Sequence, residues 1–512
     1  MNFWAESLKN KSALFWLLGG FCLLVFCGLN LLNWKPMPVS SLDHALNDQV
    51  GYVSGARSFL ERGVIETTSI FPSTLAQNTK TKILYVPGHY LALAGSFSFF
   101  GINFLSSILP SLLGYLGVIL AAYFSGKKIF GNKASLWASF LVMGFPFFLF
   151  FSLTAMAELE VIASTFMVFA VYLYVPSAFR KLIAPILAVI PIFFRETSII
   201  VIFPMAAMIW KEAEPKRKWS ETGSFLLVTF ILFFGLLKGP LGGRPDLIRA
   251  NVFGSFSEIY TDALFGGSFH PTLPEWVSAL AKHFWGNLKF LLQDKSLTGE
   301  ALVSKFLLIF SIIVFLVGWK KKEGLQLSIG FMGLVLWAAI LGIYAVTGYR
   351  GLRVSLVLVP FFALVVSGWL SEFSRFRFQM FFLGLVFIGL SFKVGFLDLV
   401  KDFNQDRIRE LEIIRFIDDK VHPDKTKVFV APFWLVSPWL NQNYPAKWAF
   451  LPANIETFKL LQKFSPVGTL LLHDSELAVL SLQALDSLGF KKSEKTVFEG
   501  QKYFILKVPG SF

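Results

Sequence analysis

The chain has 512 residues, of which 55% are hydrophobic, 17% aromatic and only 16% charged. Soluble globular proteins carry roughly 25% charged residues, whereas apolar runs of about 20 residues, each able to cross about 30 Å of hydrocarbon as a helix, recur along most of this chain, which excludes a purely soluble protein. The formal charge of +14 does not point to nucleic acid, because the Lys and Arg residues stand in short clusters between apolar runs, the pattern of cytoplasmic loops. The two cysteines, Cys22 and Cys27, both fall in the first apolar run. That excludes a disulfide framework or a zinc site and leaves them a packing role.

In chain order, Lys9 and Lys11 precede the first apolar run, 13–32, and place the N-terminus in the cytoplasm. The run lacks a small-residue cleavage pattern, so it reads as the first membrane helix and not as a signal peptide. Later basic clusters are Lys127, Lys128 and Lys133; Arg180 and Lys181; Lys211 with Lys216 and Lys218; Lys320 to Lys322; and Arg375 with Arg377. If all of them face the cytoplasm, the number of crossings between neighbouring clusters is even. Parity then makes 89–100 a helix lying on the outer surface, since its length of about 12 residues is short for a span. It also divides 182–210 into two short helices that turn at Arg195 and Glu196, recessed within the protein. The remaining spans are expected at 104–124, 134–154, 159–175, 222–238, 302–318, 326–346, 353–370 and 379–397, giving about eleven crossings. The segments 33–103, 155–158, 239–300, 347–352 and everything after 398 then lie outside. Within the tail, an amphipathic helix is expected near 408–416, β-type runs at 427–431, 469–472 and 503–508, and helices at 455–464 and 475–488. The expected fold is an all-α polytopic membrane bundle, 1–397, with a small external α/β domain, 398–512. No repeat of 20 to 50 residues is visible.

Five places on the expected outer face carry residues with chemical potential. In the first external loop, Tyr52, Val53, Ala56, Phe59 and Leu60 share one helical face, and Gly63 stands where a helix-ending glycine belongs. Asp48 opens this surface helix, either as a cap or as a general base at the membrane interface. Further on, Tyr85, Pro87–Gly88, His89 and Tyr90 open the second surface helix, where a lone histidine has a structural reading beside a functional one. Glu158 and Glu160 stand where one span exits and the next begins. Carboxylates at the edge of hydrocarbon are either solvated loop acids or functional groups. Arg195 and Glu196 interrupt an apolar stretch, and an arginine there binds a phosphate or pairs with an acid such as Glu158 or Glu160. Arg350 and Arg353 precede an apolar run ending at Pro360; they snorkel or hold a lipid phosphate by paired hydrogen bonds. There is no Walker loop, zinc motif or nucleophile elbow.

Taken in order, these features resemble the GT-C superfamily of integral membrane glycosyltransferases, closest to the bacterial members related to protein mannosyltransferases and lipid A aminoarabinose transferases. Asp48, followed by Gln49 and Tyr52, fits the family's acid in the first external loop, although many relatives have Asp-Glu there. The family's His-Pro-Pro-Leu-Tyr-like segment is matched loosely by Tyr85 to Tyr90, with the histidine displaced to His89. Its acid after the third helix is similar to Glu158 or Glu160, its Arg/Lys-x-Thr turn to Arg195-Glu196-Thr197, and its arginine before a proline-ended apolar run to Arg353. A small external α/β tail recurs in relatives.

The resemblance implies a transferase that takes a sugar from a polyprenyl-phosphate donor at the outer face. The acceptor would be a hydroxyl on a glycan, lipid or protein, and transfer would proceed in line with inversion. Asp48, with Glu158 and Glu160, would be the catalytic acids; Arg195, Glu196, Arg350, Arg353, Tyr85, His89 and Tyr52 would bind the donor. No cofactor is expected and no metal site is predicted, although some relatives use a divalent ion. Membrane lipids are the other expected partners, and nucleic acid is not one. The expected location is the bacterial cytoplasmic (inner) membrane, with the endoplasmic reticulum second; the N-terminus would be cytoplasmic and the C-terminal domain periplasmic. Two other readings stay open. An O-antigen-ligase-like or oligosaccharide transferase would use the long external loop 239–300, with Arg244, Arg249 and His270. A transporter or flippase for lipid-linked sugars would line a path through the bundle, but no inverted repeat supports it.

Overall fold

The structure is a computed structural model. It describes residues 11–31, 48–63, 65, 86–238, 272–293, 299–343, 352–372, 427–431, 448–450, 459, 468–473, 482–498 and 501–508. The expected span 379–397, the helix near 408–416 and most of the helix at 455–464 lie outside these residues, as do Tyr85 and Arg350.

Helices dominate. In chain order they are α1 (Lys11–Leu31), α2 (Asp48–Arg62), α3 (Pro87–Phe100), α4 (Phe104–Phe130), α5 (Asn132–Met143), α6 (Pro146–Ser152), α7 (Glu158–Tyr174) and α8 (Ser177–Val189). Two short 3-10 helices, Ile190–Phe193 and Glu196–Val201, lead into α9 (Ile202–Glu212). There follow α10 (Lys218–Lys238), α11 (Leu273–Gln293), α12 (Gly299–Lys321), α13 (Gly324–Ile343), α14 (Leu352–Ser355) and α15 (Leu358–Glu372). Among the described residues, three helices are long and apolar enough to cross a membrane: Leu105–Phe130, Lys218–Leu236 and Gly324–Gly342. The pair α5 and α6, bent by 61°, makes a fourth if counted as one span.

That bend falls within the expected span over 134–154 and breaks its helix in two. Pro146 has no amide hydrogen to donate into the preceding turn, and the residue before it, Phe145, is extended at φ −79° and ψ 112°. The hydroxyl of Tyr115 donates to the carbonyl of Met143 at 2.5 Å, at the end of the interrupted helix. Another single expected span, 353–370, is likewise interrupted, between α14 and α15. The long segment 239–300 contains a helix, α11, that was not anticipated. By contrast, 182–210 divides as parity required, into α8 and α9 with a turn at Phe194 and Arg195 between the 3-10 helices. Cys22 and Cys27, expected to pack, are exposed on α1.

By internal packing the chain divides into two units. One comprises Met1–Trp34, Ile108–Gly242 and Pro274–Leu399; the other comprises Lys35–Ser107, Gly243–Leu273 and Val400–Phe512. In the first, α7 is the central helix: its residues from Glu158 to Tyr172 are nearly all buried. Phe166 and Phe169 of α7 pack on Phe361 of α15, with ring centroids 4.8 and 5.6 Å apart.

In the second unit, α2 and α3 pack together. Tyr52, Val53 and Ala56 are buried as the periodicity predicts, but Gly55 and Ser58 join them, and Leu60 is 41% exposed. The Tyr90 ring lies over Gly55: a Cβ there would stand 2.4 Å from it. Gly63, at φ +71°, ends α2, its amide bonding the Phe59 carbonyl at 2.8 Å. At the start of α4, Asn103 and Ser106 cap each other: each side chain accepts the other's backbone N–H at 2.9 Å.

The strands of this unit are β1 (Lys427–Ala431), β2 (Trp448–Phe450), β3 (Gly468–His473), β4 (Lys491–Phe498) and β5 (Gln501–Val508). They form one sheet of order β2-β1-β3-β5-β4. β1 is parallel to β2 and β3, while β5 is antiparallel to β3 and β4. The short helix α16 (Leu482–Ser487) precedes β4, and Leu485, Phe490, Phe504 and Leu506 are buried.

Candidate functional site

The first unit brings three of the predicted residues into contact. Glu158 opens α7 and its side chain is fully buried. Its Oε1 accepts a hydrogen bond from Arg195 Nη2 at 3.1 Å and pairs with Arg353 Nε at 3.3 Å. Arg195 comes from the turn between the two 3-10 helices, where its backbone is extended at φ −166° and ψ 139°. Arg353 comes from α14. Two separate elements therefore converge on a carboxylate oxygen carried by a third.

The local reasons are visible. The segment that leads into α7, from Leu153 to Ala157, is buried throughout. Its turns are closed by its own polar groups: Thr154 Oγ1 donates to the Phe151 carbonyl at 2.8 Å. From α4, Ser111 Oγ donates to the Met156 carbonyl at 2.9 Å and lies 3.3 Å from Glu160 Oε1. One turn on, Gly114 lets the α4 backbone approach the first turn of α7: a Cβ at that position would stand 2.9 Å from the Leu159 carbonyl carbon and 3.0 Å from its oxygen. Residues 155–158 are packed inside protein, and of the two readings of Glu158 the burial removes the solvated loop acid. Glu158 is also more buried than Glu160, at 1% against 6% exposure.

A buried carboxylate bears a desolvation penalty of several kcal/mol, offset here by two guanidinium partners. Removing one partner of such a buried pair costs about 3–5 kcal/mol, so the arrangement holds all three side chains in place. Glu158 Oε2, by contrast, is buried and makes no hydrogen bond to any described residue. An unmet buried acceptor costs about 1–3 kcal/mol and more when charged.

The remaining predicted residues are placed as follows. Glu196 begins the second 3-10 helix beside Arg195 and is half-buried. In the second unit, Tyr52 and His89 form an edge-on ring pair with centroids 4.5 Å apart and an interplanar angle of 87°. Tyr90 lies against the same Tyr52 ring at 5.3 Å. His89 is 1% exposed. Asp48 is the first residue of α2, as expected, and its side chain lies outside the described residues. Among the described residues no group of three or more His, Cys, Asp or Glu is arranged to hold a metal ion. Sequence reasoning singled out every member of the Glu158 cluster but did not foresee Ser111 or Gly114, whose roles depend on which helix lies against α7.

No family model matches the chain, and no curated protein matches it. Among solved structures, it is similar to ArnT from Cupriavidus metallidurans bound to undecaprenyl phosphate, at 11% identity and a TM-score of 0.43, over 96% of this chain and 97% of that one. It is similar also to the apo state of the same protein, at 11% identity and a TM-score of 0.42, over 98% of each chain.

Proposed function

We propose that this chain is an integral membrane glycosyltransferase that moves a sugar from a polyprenyl-phosphate donor to an acceptor hydroxyl on the non-cytoplasmic face. The observation that carries the reading is the convergence of Arg195 and Arg353 on one buried carboxylate in a chain with three membrane-length apolar helices among the described residues. In the reaction, the acceptor oxygen attacks the anomeric carbon from the side opposite the phosphate and a new C–O bond forms. The bond from the anomeric carbon to the phosphate oxygen breaks, and its electron pair leaves with the phosphate. The configuration inverts. The phosphate passes from a diester with one negative charge to a monoester with two, so guanidinium groups beside it bind the transition state more tightly than the ground state.

Arg195 and Arg353 are assigned this role, with Arg350 and Glu196 flanking them in sequence. Glu158 fixes the two arginines. Asp48 is assigned as the base that takes the acceptor proton, Glu160 as a second acid, and Tyr52, Tyr85 and His89 as donor-binding groups. The reaction needs no cofactor beyond the lipid-linked sugar. About eleven spans, a cytoplasmic N-terminus, and an external α/β domain over 398–512 complete the reading, in a bacterial inner membrane.

The test is turnover of polyprenyl-phosphate sugars by the full chain in nanodiscs, read as release of free polyprenyl phosphate. Release is expected, with Asp48→Asn slowing it by about 10²- to 10⁴-fold. Unchanged turnover in that variant overturns the base assignment, and no release from any donor overturns the function.

A further inference from the structure

The two oxygens of Glu158 have different surroundings. Oε1 takes both Arg195 and Arg353, at 3.1 and 3.3 Å, while Oε2 is buried and accepts no hydrogen bond from any described residue. An ionised carboxylate has about four lone-pair sites, so the pairing leaves capacity on the second oxygen. The side chain is fully buried, and the chain leading into it, Leu153 to Ala157, is buried as well. A buried acceptor in such surroundings calls for a donor.

We propose that Glu158 Oε2 accepts a hydrogen bond from a hydroxyl of the transferred sugar, which makes Glu158 a specificity-determining residue for the donor. This rests on the reading of the chain as a transferase of lipid-linked sugars. The arginines meet the charge of the carboxylate at Oε1. What Oε2 still offers is a lone pair, which a neutral O–H satisfies without bringing another charge into a buried place. The two arginines hold the carboxylate at Oε1, so the acceptor is in place before the sugar arrives, and because Oε2 is buried, binding has to open the packing over it. One residue thereby links the two halves of the donor: through Oε1 it sets the groups that meet the phosphate, and through Oε2 it reads the sugar.

The test uses the full chain in nanodiscs and compares binding of undecaprenyl phosphate with that of undecaprenyl phosphate bearing glucose, mannose, galactose or xylose. At least one sugar-bearing lipid is expected to bind more tightly than the bare lipid. For the tightest of them, the deoxy analogues are measured one hydroxyl at a time. One deoxy position is expected to weaken binding to the native chain by about 10- to 100-fold, the range of a hydrogen bond to a charged group. In Glu158→Gln that position is expected to lose most of its effect, since a neutral amide replaces the charged acceptor.

If no sugar-bearing lipid outbinds the bare one, or if every deoxy analogue binds the native chain equally, the inference is overturned. These outcomes need no variant, so they stand even if Glu158→Gln fails to fold. If Glu158→Gln weakens bare and sugar-bearing lipids by the same factor, Glu158 acts only through the arginines and the inference also falls. In each of these cases continued release of polyprenyl phosphate by the native chain leaves the transferase reading intact. Absence of release from every donor is the separate failure of that reading.

Discussion

Phe361 packs edge-on against Phe166, with 4.8 Å between ring centroids and 72° between ring planes. Each ring lies eight residues after a member of the buried ion pair, from 353 to 361 and from 158 to 166. At about 1.5 Å of rise per helical residue, the aromatic contact sits about 12 Å along α7 from the charges. The aromatic contact joins α15 to α7, and the ion pair joins the preceding α14 to the start of the same helix.

Phe361→Ala is therefore expected to act at a distance. Loss of this fully buried ring costs about 3–5 kcal/mol, while Phe361→Leu costs less because it keeps most of the volume. Thermal unfolding in nanodiscs reads the stability. Release of polyprenyl phosphate is expected to fall in Phe361→Ala even at temperatures where the chain remains folded, because Arg353 is no longer held against Glu158. Full activity in a folded Phe361→Ala chain would show that α15 packing does not position the arginine.

Gly114 permits a close approach of two backbones. In Gly114→Val the new side chain meets the Leu159 carbonyl group, whose atoms cannot swing aside as a side chain can. Overpacking of this kind costs about 1–3 kcal/mol. Because Leu159 follows Glu158 directly, binding of undecaprenyl phosphate is expected to weaken together with stability. A variant that binds as tightly as the native chain would separate Gly114 from the site.

Gly55→Ala tests the other helix pair. Its Cβ would lie 2.4 and 2.7 Å from two carbons of the Tyr90 ring, which is fully buried. Destabilisation of about 1–3 kcal/mol is expected. Tyr90→Ala removes the obstructing ring and is itself destabilising, but the double variant is expected to be more stable than the sum of the two single losses predicts. Strict additivity would mean that the two residues do not meet.

Arg353→Lys keeps a positive charge but loses the planar fork that addresses two oxygens at once. Donor affinity is expected to fall by about tenfold, consistent with the loss of one charge-assisted hydrogen bond, and to fall further in Arg353→Gln. Titration with undecaprenyl phosphate measures both. Equal affinity in the native chain and Arg353→Gln would overturn the phosphate-binding role proposed for Arg353.

What the sequence determined by itself was the set of elements and the residues worth watching. The apolar runs at 104–124, 222–238 and 326–346 returned as α4, α10 and α13, because membrane-length hydrophobicity is a local property. Gly63 ended α2 because a left-handed residue after an amphipathic turn is a local signal too, and the division of 182–210 at Arg195 followed from counting basic clusters. Strands appeared at 427–431, 468–473 and 501–508, where β-type runs had been read. The bend at Phe145 and Pro146 was written in the sequence and outweighed there by the length of the apolar run, while α11 was hidden in a segment judged only by its position between spans.

Only the tertiary structure decided the partners. The sequence left Glu158 and Glu160 equally open as partners of Arg195 and pointed to no acid for Arg353. The choice of Glu158 depends on where α4 lies against α7, through Gly114 and Ser111, and on where α15 lies, through Phe361. Such contacts join residues far apart in the chain, and their energies come from packing that no local pattern encodes. The same is true of Oε2: that a carboxylate would be fully buried, held on one oxygen and unmet on the other among the described residues, is a fact about neighbours.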